Sequence, residues 1–512
     1  MPLISLFDRG ASLGRERVAF VRGSSEMTFG AAQDQTYRIA RALVAAEVPR
    51  GAHCAVLSDN DPASWLCVLA VWRAAHVWIP LNPRSPLAEH VHLIDGFDVE
   101  LLFFKKMFAP MVQEIRNHCP NLKRLICIDG EVDGALSLTD LTIDLPALPP
   151  DIHAGEDELA AIMPTGGTTG RPKGVMLTHR SLVISVVNGI LNTPYLPGEE
   201  IVNLAAAPMT HTAGFLSLSA TARGGKVVVM TRPDPQELLG IVTGQGVTEF
   251  FLPPTVIYRL LDMPGIEQHD FSRLKYLMYG AAPMSVEKLR HALRVFGPVM
   301  LQGYGQTEAP GSISFLRPGD HFRNGAVAED QRLSSCGLPS VFNSTAILDE
   351  QGRPLPSGST GEICVRGDIV MSGYYKQPDK TAETIIDGWL HTGDLGHIDA
   401  EGFLHITDRK KDMIISGGYN VYPSEVEQAI WSHPAVLDCA VIGVPDADWG
   451  EAVKAVVEVR PGTTVTPEEL IAYCKERVGS VKAPKTVDFI DSLPRSPVGK
   501  VVKKDLRELY RN

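Results

Sequence analysis

Apolar and polar positions alternate between helix-like and strand-like patterns through the first 400 residues. Val68–Ala75 reads as a helix, and Val77–Ile79 as a short strand that Pro80 ends. Leu159–Met163, Val175–Leu177, Lys226–Met230 and Leu277–Tyr279 are further β-rich runs, and Val286–Val295 is again helical. Segments alternating in this way predict an α/β fold of layered sheets with flanking helices. No internal repeat or low-complexity tract interrupts the pattern.

The last hundred residues follow a different plan. Ser424-x-x-Glu427 has the form of a capping box opening a helix, with apolar Val426, Ala429 and Ile430 and a stop near His433-Pro434. Strands are expected at Ala440–Ile442 and Val453–Val459, joined by a turn at Pro445–Asp448. A second box, Thr466-Pro-Glu-Glu469, opens a helix to about Val478, with Gly479 as its C-terminal stop. This reads as a separate small α+β unit. The charged run Asp408-Arg-Lys-Lys-Asp412 marks the expected boundary, giving domains at 1–408 and 409–512.

Composition narrows the function. A chain of 512 residues suggests roughly three or four domains or subdomains. Its formal net charge of -12 disfavours nucleic acid and anionic membrane as partners. The stretch from Gly479 to Asn512 runs the other way, with eight basic residues against four acidic ones, and could serve a small polyanion. No two of the eight cysteines are spaced C-x-x-C, so they read as buried thiols of a reducing compartment. The N-terminus lacks the form of a signal peptide, and the apolar stretch Leu204–Ala222 is too polar to span a bilayer. A cytoplasmic protein is expected.

Among candidate chemistry, Pro164-Thr-Gly-Gly-Thr-Thr-Gly-Arg-Pro-Lys-Gly174 stands out. It lies between two strand-like runs and concentrates glycines, hydroxyls and two cations, the groups that wrap phosphate oxygens. It is not a Walker loop, because Lys173 lies between Pro172 and Gly174 with no Ser or Thr after it. Gly10-Ala-Ser-Leu-Gly14 matches the nucleophile-elbow pattern but lacks the preceding core strand, so Ser12 is set aside. His391 and His405 lack metal-ligand partners at suitable spacing and read as structural.

The 164–174 loop resembles the phosphate loop of the adenylate-forming (AMP-dependent synthetase/ligase) superfamily. Further signatures follow in that family's order: Pro208-Met-Thr-His211, Gly280-Ala-Ala-Pro-Met284, Tyr304-Gly-Gln-Thr-Glu308, Thr392-Gly-Asp394, Asp408-Arg409 and Pro494-Arg-Ser-Pro-Val-Gly-Lys500. The resemblance implies a large N-terminal domain with a small β-barrel subdomain, a small mobile C-terminal lid, and ATP, Mg²⁺ and CoA as cofactors. It implies that Glu308 holds Mg²⁺, that Thr307 contacts the α-phosphate, and that Thr165, Gly166, Gly167, Thr168, Thr169, Gly170 and Lys173 bind the leaving pyrophosphate. Adenine would lie along Gly280, Ala281, Ala282, Pro283, Gln302, Gly303, Tyr304 and Gly305, with Asp394 on the ribose hydroxyls and Arg409 on ribose or phosphate. Lys500 would touch both the substrate carboxylate and the α-phosphate. Lys411 would be the hinge, and Ser416-Gly417-Gly418 would line a pantetheine tunnel.

Two departures from the family pattern stand in this chain. Gly166 replaces the usual loop serine, and Thr210 precedes His211 where many relatives carry an aromatic. An acyl pocket of His211, Phe215, Gly280, Ala281 and Gly305 suits a fatty or aromatic monocarboxylate, and Thr212–Phe215 offers no aspartate for an amino-acid ammonium. The expected enzyme is an acyl-CoA synthetase. The alternative is an adenylating ligase with another acceptor, such as a carrier protein or an amine.

Overall fold

A computed structural model of the chain describes residues 1–165, 172–231, 234–446, 449–495 and 501–510. Two large, mostly parallel sheets of nine and eight strands form its bulk. In the nine-stranded sheet, Val202–Ala205, Glu249–Leu252, Tyr276–Gly280 and Met300–Gln306 run parallel in that spatial order. The eight-stranded sheet centres on His53–Leu57 and Val77–Pro80, and ends in the antiparallel strands Leu159–Thr165, Lys173–Thr178 and Gly373–Tyr374.

The helix Pro62–Arg73 shows how the layers join. Asp61 caps it by accepting the Ala63 N–H, and proline occupies its first turn. Every residue from Ser64 to Arg73 is buried, as expected for a helix that is apolar all round. Trp65, Trp72 and Trp78 meet edge to face with centroids 5.6–5.9 Å apart, each pair adding ~0.5–1.5 kcal/mol beyond area burial. Side chains of both sheets share this core.

Where a small barrel is expected lies a five-stranded antiparallel sheet that includes Gly361–Arg366, Trp389–Ile398 and Leu404–Arg409. The C-terminal residues build a separate five-stranded sheet around the hairpin Val436–Asp446 and Gly450–Val459, with its own core under Pro423–Trp431 and Pro467–Lys482. All eight cysteines are buried and free. Among the described residues no helix is long and apolar enough to cross a membrane.

The two capping boxes fare differently. Thr466 and Glu469 exchange both bonds, and Gly479, at φ +79°, breaks the helix where a stop is expected. Ser424 caps nothing: Pro423 starts the helix one residue earlier, and the Ser424 hydroxyl donates to the Thr407 carbonyl. Glu427 turns inward instead, accepting the Val441 N–H at 2.7 Å and pairing with Lys503 at 2.7 Å. Burial pushes its carboxyl up against the pull of that lysine. The expected turn is also shorter, since Pro445 and Asp446 still pair with Glu451 and Gly450; Asp448 lies outside the described residues.

Candidate active site

The strand Met300–Gln306 carries Gln302, Gly303, Tyr304 and Gly305, and Thr307 and Glu308 form the turn that follows. Its parallel neighbour ends at Gly280, which pairs with Gly303. Ala281 comes next at φ +67°, a left-handed conformation costing a residue with a Cβ ~1–2 kcal/mol. Ala282 is half-buried and Pro283 exposed. Loops at the carboxyl ends of parallel strands are the usual ligand positions in α/β sheets.

Two buried carboxylates organise this edge. Asp394, 3% exposed, accepts the Tyr304 hydroxyl at 2.6 Å and pairs with Arg409 Nε at 2.9 Å. Asp394 and Arg409 are cross-strand partners in one antiparallel pair. The Thr392 hydroxyl accepts the Asp394 N–H and donates to the Ile363 carbonyl, so the turn is fixed from behind. Glu362 adds a second anchor: it accepts the Gly393 N–H at 3.1 Å and pairs with His391 and Lys410. Burial works to lower the Arg409 pKa, but Asp394, Tyr304, Asp412 and Glu308 together raise it. Burial and then the Arg409 charge push the Lys411 ammonium down.

Glu308, 8% exposed, accepts the Tyr374 hydroxyl at 2.7 Å. Lys173 Nζ stands 4.1 Å from the centroid of the same ring. Lys173 pairs across the sheet with Thr165, placing both at the root of the glycine–threonine loop. Gly166, Gly167, Thr168, Thr169, Gly170 and Lys500 lie outside the described residues. Tyr374 is absent from the motif reading. It enters because Gly373–Tyr374 adds to the sheet beside Val175 and Met176, a pairing between segments nearly 200 residues apart.

His211 and Phe215 lie on a different wall, in the turn after Val202–Ala205 and the buried helix Ala213–Thr221. The His211 Nδ1 bonds the Thr212 hydroxyl at 2.6 Å, and burial lowers the ring's pKa. Phe215 shares the first core with Tyr304. Gly417 and Gly418 sit apart from this edge, in the hairpin of Ile414–Ser416 and Tyr419–Val421. Gly417, at φ +58°, lies against the Trp449 ring, where a Cβ would come within 2.7 Å of it. Three other residues weighed from the sequence have ordinary partners. The Ser12 hydroxyl donates to the Arg9 carbonyl, His391 meets Glu362, and His405 meets Asp399.

The family profile described as AMP-binding enzyme matches residues 7–375, and the one described as AMP-binding enzyme C-terminal domain matches residues 425–500. The chain belongs to the AMP-binding enzyme family. The motif reading of an adenylate-forming enzyme on the acyl-CoA synthetase branch therefore holds. This AMP-binding enzyme is 36% identical to a medium/long-chain fatty-acid–CoA ligase of Mycobacterium tuberculosis, over 95% of this chain and 86% of that one. It is also 36% identical to a feruloyl-CoA synthase of an Amycolatopsis species, over 98% of both. Among solved structures, the amide bond synthetase of Marinactinospora thermotolerans superposes with a TM-score of 0.89 at 30% identity, over 100% of both chains.

Proposed function

We propose that this enzyme activates a fatty or aromatic monocarboxylic acid with ATP and passes the acyl group to CoA. The observation that carries the reading is the pair of buried carboxylates at the end of the strand Met300–Gln306: Asp394, clasped by Tyr304 of that strand and by Arg409, and Glu308 in the turn that follows it, clasped by Tyr374. In the first half-reaction a substrate carboxylate oxygen attacks the α-phosphorus, the α–β bridge breaks, and pyrophosphate leaves. Negative charge grows on both phosphate groups and needs fixed donors and cations. Thr307, Thr165 and Lys173 would supply these, together with Lys500. Asp394 would accept the ribose hydroxyls.

Among the described residues the Glu308 carboxylate takes one hydrogen bond, on Oε1, so Oε2 fits a hard cation such as Mg²⁺. Mg²⁺ bound there would neutralise phosphate charge. In the second half-reaction a thiolate sulfur attacks the acyl carbon and AMP departs with both bonding electrons. Gly417 and Gly418 would let the thin pantetheine arm approach, after the residues beyond Lys411 turn about it. His211, Phe215, Gly280, Ala281 and Gly305 would border the acid. The two ligases above act, by name, on medium/long-chain fatty acid and on feruloyl substrates, which supports this substrate class.

Full-length likeness to an amide bond synthetase favours one second reading, an amine as acceptor. Incubation with ATP, Mg²⁺ and a panel of acids, with and without CoA, separates the two. Acyl-CoA detected by mass, with AMP release dependent on CoA, is the expected result. AMP release that ignores CoA but responds to added amine overturns the CoA reading.

A further inference from the structure

The segment 205–215 carries His211 and Phe215 yet contains no charged side chain. Within its turn, the N–H groups of His211 and Ala213 both donate to the Pro208 carbonyl, at 3.2 and 3.3 Å. Further support arrives from a loop of the other sheet. Asn60 lies buried in the loop between His53–Leu57 and Pro62–Arg73. Its Nδ2 donates to the carbonyls of Ala205, Ala207 and Met230 at 3.2, 3.0 and 2.8 Å. Its Oδ1 accepts the Met209 N–H at 2.9 Å. One amide thus engages both its hydrogens, shared over three carbonyls, and its oxygen to tie the turn at three points and bind it to the neighbouring strand end.

The loop holding that amide is itself fixed. Asp59 and Asp61 flank Asn60, and each pairs with both Arg22 and Lys105, at distances from 2.6 to 3.1 Å. Asp61 also caps the helix Pro62–Arg73. From that helix the Trp65 ring presses on Gly214, where an added Cβ would lie 2.5 Å from Cε3. The same frame therefore holds the turn two residues before His211 and the helix start three residues after it.

We infer that Asn60 is a positioning residue for the acid-side wall. It touches no substrate and acts by setting the 205–215 backbone, and with it His211 and Phe215, against the nucleotide-side strands. The inference rests on the reading of His211 and Phe215 as acid-side residues. An aspartate of the same shape would keep the acceptor for Met209 but present an anion to three carbonyls, so it should displace the turn without opening a cavity. Alanine would leave four backbone groups without their side-chain partner.

The test is acid-dependent ATP–pyrophosphate exchange on the full chain, wild type against Asn60→Asp and Asn60→Ala, with hexanoate, dodecanoate and ferulate as probes. For the best acid, both variants should raise KM for the acid by tenfold or more while KM for ATP stays within twofold. A fold role alone would lower the melting temperature, read by tryptophan fluorescence, without separating the two constants. If Asn60→Ala does not accumulate folded, the isosteric aspartate carries the test. Acid and ATP constants that rise together, or neither rising in a folded variant, overturn the inference. A wild-type chain inert toward all three acids removes the acid-side reading and the inference with it; an active wild type with unaltered variants overturns the inference alone.

Discussion

Asp394 and Glu308 make an instructive pair. Both carboxylates are almost wholly buried, and each accepts a tyrosine hydroxyl, at 2.6 and 2.7 Å. Their cations differ. Arg409 sits directly on Asp394, whereas among the described residues no ion pair reaches Glu308, and Lys173 lies over the face of its tyrosine partner. A buried carboxylate without a direct counter-ion is expensive, and such a group persists where a ligand supplies the missing charge. Asp394 is thus neutralised by protein, whereas on the proposed reading Glu308 is left for a cation brought with the substrate.

That contrast is open to direct attack, beginning with the carboxylates. Glu308→Gln should slow pyrophosphate exchange by ~10²–10³, the scale of a lost transition-state charge contact. Asp394→Asn should instead raise KM for ATP about tenfold, as loss of a charge-assisted hydrogen bond does. Steady-state exchange at varied ATP checks both, and equal defects of one kind would erase the distinction. The tyrosines come next. Tyr374→Phe should raise the Mg²⁺ needed for half-maximal exchange by about tenfold, while Tyr304→Phe should move the ATP constant and leave the Mg²⁺ requirement alone. An Mg²⁺ titration of the two variants is the check.

The smallest effect concerns pH. Burial first, and then the neighbouring carboxylate, raises the pKa of both Tyr304 and Tyr374 above the ordinary phenol value. A raised phenol pKa keeps the neutral, donating form at higher pH, so neither bond should be lost as pH rises from 8 to 10. The alkaline limb of the exchange profile should therefore coincide in wild type and Tyr374→Phe, and a limb that the substitution removes would contradict it.

The sequence brought together most residues of the proposed nucleotide-side edge, because they come in short runs whose spacing survives folding: Tyr304 to Glu308 lie in five consecutive positions. It concealed Tyr374 and Asn60, which act on segments far away in the chain and carry no local signature. A phenol after a glycine, or an asparagine between two aspartates, reads as an ordinary surface turn until sheet pairing shows what it faces. The capping boxes teach the same lesson at smaller scale. Thr466 and Glu469 lie at an exposed helix start, where local propensity governs, and the pattern holds. Glu427 is buried against a half-buried lysine, and that partner overrides the cap.

Arg409 closes the strand that pairs with Trp389–Ile398, and so belongs mechanically to the body that holds Asp394. A pivot at Lys411 falls beyond it. On the proposed reading, the C-terminal unit could then swing freely while the ribose grip stayed shut, so the activated intermediate would wait in place for its second partner and never escape into water between the two steps.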